Sequence, residues 1–181
     1  PTTAANLGIG MVYQHFMLVD TLTVAENMAL AFNRGEKRTL KFSRNKENLI
    51  LFENLLKNLN LGLEQKINTE IGVLSGGQRQ AIALLMATMK APQLILLDEH
   101  TAALDPKTQK KIMTLSEEKI KEKNLTALMI THNLQDALTY GNRMLLLHQG
   151  EIVKDFSEEE KKKLSVTDLY KIMVELDEKD N

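Results

Sequence analysis

Short runs of consecutive apolar residues alternate along this chain with stretches in which apolar residues recur every three or four positions. The clearest run is 94–97, four apolar residues followed by Asp98 and Glu99, of the kind buried in a parallel sheet and covered on both faces. Residues 9–13, bounded by Gly8 and Gly10, predict a second strand that ends at Gln14. Residues 126–131 and 144–147 predict two more, and Gly150 reads as the turn before a short edge strand over 152–156. Helical spacing marks 22–30, with Thr23 as N-cap and Glu26 completing a capping box. It marks Leu49, Leu51, Phe52, Leu55, Leu56 and Leu59 as one helical face ending at Gly62. Ser75 opens a helix to about residue 90, stopped by Pro92, and Pro106 starts another that ends near residue 123. Helices follow over 134–140, 157–163 and 166–176, the last with Ser165 and Asp168 as a capping box. The acidic end, 177–181, is expected to fray.

Strand and helix in alternation imply an α/β layer architecture with right-handed crossovers. With 181 residues, 43% hydrophobic and 26% charged, the chain is long and apolar enough for one globular domain with a buried core. A net charge of -1 supplies no overall attraction toward nucleic acid or an anionic membrane. Arg34, Lys37, Arg38, Lys41, Arg44 and Lys46 form a basic stretch, read as a solvated surface, and no nucleic-acid partner is expected. The chain has no cysteine, which excludes disulfides and thiolate metal sites. Its longest apolar stretches, 81–89 and 94–97, fall far short of the roughly 20 residues of a membrane-spanning helix. The chain starts at Pro1 without a targeting pattern, and the expectation is that an N-terminal part precedes it.

Two motifs carry chemistry. Ser75-Gly76-Gly77-Gln78 places a hydroxyl and two residues without side chains at a helix start, where backbone N–H groups and the helix dipole favour a phosphate. Asp98 and Glu99 follow an apolar strand: one carboxylate can hold Mg²⁺ and its neighbour can act as general base toward a water. His132, just after a strand, is placed to donate a hydrogen bond to a terminal phosphate. Gln14 cannot titrate, yet its amide can ligate Mg²⁺ and orient a water. A phosphate-cradling loop would read G-x-x-x-x-G-K-[ST], but none of the 9 glycines is followed by lysine.

The order of these features, Gln at a strand end, a helical insert, L-S-G-G-Q, L-I-L-L-D-E, Ala103-Leu104-Asp105 and Thr131-His132, resembles the nucleotide-binding domain of ABC ATPases. The resemblance covers about residues 8–156. It implies a P-loop NTPase-type parallel sheet with an inserted α-helical subdomain, the P-loop part lying outside this sequence. The expected layout is a core strand and Q-loop over 1–19, a helical subdomain over 20–91 ending in the signature helix, a catalytic core over 92–156 and C-terminal helices over 157–181. It further implies that Gln14 is the Q-loop glutamine, Ser75, Gly76, Gly77 and Gln78 the signature, Asp98 and Glu99 the Walker B pair, Asp105 the D-loop acid and His132 the switch histidine. ATP and Mg²⁺ are the implied cofactors.

In that family two domains meet head to tail, so that the signature of one faces the ATP of the other. The implied activity is hydrolysis of ATP to ADP and phosphate. The stretch Gln14 to Asn27 looks like transporter subunits, whose partners are a second ATPase domain, a transmembrane permease and a solute-binding protein at the cytoplasmic face of the membrane. The competing class is a soluble ABC ATPase acting on ribosomes or DNA, but no sustained heptads mark the coiled coil of a repair protein. Residues 8–19 are similar to ATPases of simple-sugar and nucleoside importers, whereas 74–108 look more like import ATPases that accompany amino-acid-type binding proteins. His100 stands where the family most often has proline and is read as a structural variation of the turn after Glu99. His15 and His148 are given surface or packing roles.

Overall fold

The computed structural model describes residues 2–32 and 45–179, which fall into two compact units, Pro1–Ile130 and Thr131–Asn181. The basic stretch over 34–44 lies outside the described residues, and Lys46 opens a helix.

In the first unit a short helix α1 (Thr2–Asn6) leads into β1 (Ile9–Val12). Helices α2 (Val24–Phe32), α3 (Lys46–Lys57) and α4 (Gly76–Thr88) come next, then β2 (Leu94–Asp98), α5 (Pro106–Glu122) and β3 (Thr126–Ile130). The strands form a parallel sheet in the order β1-β2-β3, with Val12 opposite Leu97 and Asp98 opposite Ile130. Parallel pairing demands long crossovers, and the helices supply them. Val12, Ile95 and Leu97 join buried residues of the helices, including Met28, Phe52, Leu56, Ile82, Leu84 and Ile112, in one core.

Cover on the two faces of β2 is unequal. Ile95 and Leu97 are buried, while the alternate residues Leu94 and Leu96 are only half-buried. The side-chain period of 2 sends these pairs to opposite faces, and the helices bury one face more completely. On β3 the apolar Leu128 and Ile130 remain 51% and 56% exposed.

Local chemistry explains the helix ends. In the predicted capping box of α2, Glu26 N donates to Thr23 Oγ1 (3.2 Å) and Thr23 N donates to Glu26 Oε2 (2.9 Å). Asn45 caps α3 by accepting from Glu47 N. Helix α4 stops at Thr88 rather than near 90, because Ala91 turns left-handed (φ 43°) directly before Pro92. Lys123 Nζ then donates to the C-terminal end of that helix at Thr88 O (3.0 Å).

The second unit contains α6 (Leu134–Thr139), β4 (Arg143–His148), β5 (Glu151–Ser157), α7 (Glu158–Lys163) and α8 (Val166–Lys179). Here the strict alternation expected from the sequence gives way: β4 and β5 pair antiparallel as a two-stranded sheet of their own. The cause is the two-residue turn Gln149-Gly150, with φ 47° and 82°, which matches the twist of a tight hairpin. The Ser165–Asp168 capping box forms as predicted. Helix α8 continues through residue 179, so 177–179 are helical rather than frayed, and Asp177 Oδ1 lies 3.7 Å from His148 Nδ1. Buried Lys161 donates to the carbonyls of Tyr140 and Gly141, closing the C-terminal end of α6.

Candidate active site

Parallel register gathers the first group of residues. Val12 pairs with Leu97, so Gln14 and Glu99 each lie two residues beyond a paired position, at the same C-terminal edge as Asp98. In open parallel sheets this edge is where ligands bind. Asp98 and Glu99 are half-buried and Gln14 is exposed.

Glu99 occupies a left-handed backbone conformation, φ 43°, which a residue with a side chain adopts at a cost of order 1–3 kcal/mol. Its neighbours hold it there. Glu99 N donates to Ile130 O (3.0 Å) and Ala102 N donates to Glu99 O (3.0 Å). His100 is 3% exposed, with Nε2 3.0 Å from Ser116 Oγ in the middle of α5. Burial pushes the His100 imidazole down to about 4, so the ring is neutral at pH 7. The expected structural role of His100 in the turn is what the packing displays.

The second group lies at the start of α4. Ser75 is its N-cap: Gln78 N donates to Ser75 Oγ (3.3 Å), and Ser75 N donates to Gln78 Oε1 (3.2 Å). That oxygen also accepts from Lys66 Nζ (3.4 Å), so the Gln78 side chain is fixed from two sides. Gly76 and Gly77 let other elements approach. A Cβ on Gly76 would meet Leu104 Cδ2 at 3.3 Å and Phe16 Cζ at 3.7 Å, and one on Gly77 would lie 2.2 Å from Thr108 Cγ2. The first turn of α4 therefore abuts both the segment after Gln14 and the start of α5. Asp105 is fully exposed and caps α5 by accepting from Thr108 N (3.1 Å), with Pro106 at the first helical position. Its hydrogen bonds with Thr108 hold the carboxyl below the usual carboxylate range.

Two residues that sequence pattern did not single out organise this surface. Arg79 donates from Nε to Leu74 O (3.0 Å) and from Nη2 to Gly72 O (2.9 Å). Its Nη1 lies 3.5 Å from Asp20, and its guanidinium sits 5.9 Å from the Phe16 ring centre. Asn27, 1% exposed, accepts from Val19 N (2.8 Å) and donates to the carbonyls of Val19, Leu22 and Thr23, fixing the loop beyond Gln14. A polar residue amid buried Val24, Ala25, Met28 and Ala29 is the signal that would have marked Asn27. His132 belongs to the second unit, where it is exposed ahead of α6, beside the capping residue Asn133.

Among the described residues no group of three or more His, Cys, Asp and Glu is disposed to hold a metal by itself. Asp98 and the Gln14 amide are hard oxygen donors, a partial set that suits Mg²⁺, which keeps several waters and takes one or two protein ligands beside phosphate.

A family model described as "ABC transporter" matches residues 2–102, more than half of the chain. The tyrosine transport ATP-binding protein of Clostridioides difficile is 45% identical over 150 residues, 82% of this chain and 59% of that protein. A methionine import ATP-binding protein of Oenococcus oeni is 35% identical across 81% of this chain and 39% of its own length. An aliphatic sulfonates import ATP-binding protein of Burkholderia ambifaria is 37% identical across 83% and 43%. The chain thus spans between about two fifths and three fifths of these relatives. A dimeric, post-hydrolysis ATP-binding cassette bound to ADP and Pi superposes with a TM-score of 0.67 at 32% identity, over 83% of this chain and 62% of the other. A second cassette, from an ADP conformation, gives a TM-score of 0.75 over 97% of this chain and 71% of its own, and at 24% identity speaks for the fold alone.

Proposed function

Since the chain belongs to the ABC transporter family, we propose that its complete gene product is the ATP-hydrolysing subunit of an import system, converting ATP to ADP and phosphate to drive solute uptake through a partner permease. The observation that carries this reading is the convergence of Gln14, Asp98 and Glu99 at the C-terminal edge of a parallel sheet. The motif order and the resemblance to cassettes support the nucleotide as ATP.

Glu99 accepts a proton from the attacking water, and its constrained backbone fixes where the carboxylate stands. Asp98 and Gln14 would hold Mg²⁺, which when bound neutralises charge on the phosphates. Gln14 also orients the water. His132 donates to the γ-phosphate. Ser75, Gly76, Gly77 and Gln78 present the start of α4 to the ATP of a second cassette, with Asp105 close by at the start of α5, and a dimeric relative supports that arrangement. The layout we propose keeps 1–19 as core strand and Q-loop, 20–91 as helical subdomain, 92–156 as catalytic core and 157–181 as C-terminal helices.

The partners of this reading are a second ATPase domain, a transmembrane permease and a solute-binding protein, with the subunit bound peripherally at the cytoplasmic face of the membrane. Among the described residues no helix is long and apolar enough to cross a membrane, so a separate permease fits. The relatives named above serve transport of tyrosine, methionine and sulfonates, which favours an importer over a ribosomal or DNA-directed ATPase. Of the two cargo classes suggested by the sequence, amino acids have the support of two of these relatives. The test is uptake into vesicles that hold the complete gene product and its permease. ATP-dependent accumulation of an amino acid is expected. ATP hydrolysis that no permease or solute stimulates would overturn the importer reading.

A further inference from the structure

We infer that His100 is a positioning residue for hydrolysis, tethering the backbone of Glu99 to helix α5 through Ser116. The inference rests on the reading of Glu99 as general base. Its ground is the hydrogen-bond chain that continues from the left-handed residue. Ser116 Oγ donates its one proton to Ile112 O (2.8 Å), one turn back on its own helix. The oxygen can then only accept from the ring, which makes His100 the donor through Nε2–H at 3.0 Å. Both partners are buried, His100 to 3% and Ser116 to 2% exposure, so no water competes for the bond and neither group tolerates its loss.

The consequence for Glu99 is geometric. Its φ of 43° is a conformation that the backbone leaves unless held on both sides. On the N-terminal side the hold is the bond from Glu99 N to Ile130 O, which ties the turn to β3. On the C-terminal side it is the buried His100 ring, which ties the turn to α5. A carboxylate that must meet a water in line with a phosphate gains from both anchors, since a misplacement of about 1 Å can cost about 10²-fold in rate.

The experiment measures kcat and KM for ATP in the complete gene product and in His100→Leu, His100→Gln, Ser116→Ala and Glu99→Gln. Leucine fills the space without a donor, whereas the glutamine amide nitrogen can reach the position of Nε2. The expected result is a fall in kcat of about 10- to 10²-fold in His100→Leu and Ser116→Ala, with KM for ATP changed less than about threefold and most of the loss recovered in His100→Gln. Rates are expressed per nucleotide-binding site, so that a misfolded fraction does not count. Unchanged kcat per site in Ser116→Ala overturns the inference, even if His100→Leu fails to fold. The Glu99→Gln arm separates the two readings. Turnover lost there but kept in Ser116→Ala removes only the positioning role, whereas turnover kept in Glu99→Gln removes the base on which it rests.

Discussion

Replacing Gly77 by alanine sets two effects of similar size against each other, and the structure decides between them. Alanine raises helix propensity by up to about 1 kcal/mol. Its Cβ, however, would stand 2.2 Å from Thr108 Cγ2, whereas carbon atoms in ordinary contact sit about 3.5–4.0 Å apart. Relief requires one helix start to retreat by more than an ångström, or Thr108 to leave a side-chain rotamer that β-branching makes stiff. Overpacking of that kind costs about 1–3 kcal/mol, so the net effect should be destabilisation by about 1–2 kcal/mol. The same probe atom lies 3.7 Å from Thr108 Cβ and 3.9 Å from its Oγ1, both ordinary contacts, so a single methyl causes the clash. Thr108→Ser removes that methyl and leaves the backbone donor to Asp105 in place. Melting of the four proteins by circular dichroism should therefore show Gly77→Ala lower by about 2–8 °C, and Gly77→Ala with Thr108→Ser at or above Thr108→Ser alone. Additive behaviour of the two substitutions would refute the packing of α4 on α5 described above.

Other outcomes follow from single contacts. Asn27→Leu removes the acceptor of Val19 N and leaves the carbonyls of Val19, Leu22 and Thr23 with their backbone donors alone, and should cost about 1–3 kcal/mol in a urea melt. The folded His100 ring is depressed from 6.5 to about 4, so on acidification the unfolded chain takes up the proton first. Stability is then lost as pH falls below about 6.5, by about 2 kcal/mol between about pH 7.5 and about pH 5, and the loss is complete below about pH 4. Measured in metal-free buffer, His100→Gln should flatten this slope relative to the native sequence, and an equal slope in both would show that the ring does not titrate as stated. The 181-residue chain by itself should bind ATP weakly and hydrolyse none, because it contains no G-x-x-x-x-G-K-[ST] cradle. Steady phosphate release from the purified chain would contradict that.

Much of the scaffold was legible because its signals are local. Consecutive apolar residues at 94–97, bounded by Pro92 and by Asp98-Glu99, mark a strand within one short window, and the capping residues at 23, 75 and 165 stand at helix starts as their hydrogen-bonding chemistry requires. The hairpin was half legible: Gly150 marked the turn, but whether β4 joins the parallel sheet or pairs with β5 depends on long-range packing that no short window contains. Asp98, Glu99, Gln14 and the segment 75–78 were singled out by their order along the chain, and strand register brings Gln14 to the sheet edge that carries Asp98 and Glu99. Arg79, Asn27, Thr108 and Ser116 were missed for the converse reason. Asn27 stands out only as a polar residue within an apolar helix, the others are unremarkable in their own windows, and each matters through a partner far away in sequence or through burial, as Arg79 does with Phe16 and Asp20.

The proposal that this sheet edge hydrolyses ATP with Glu99 as base stands or falls on single-turnover kinetics of Glu99→Gln in the complete gene product. Glutamine keeps the size and hydrogen-bonding reach of the side chain but cannot take a proton at neutral pH. ATP binding of native affinity is expected, with hydrolysis slowed about 10²- to 10⁴-fold. Hydrolysis at the native rate in that variant would contradict it.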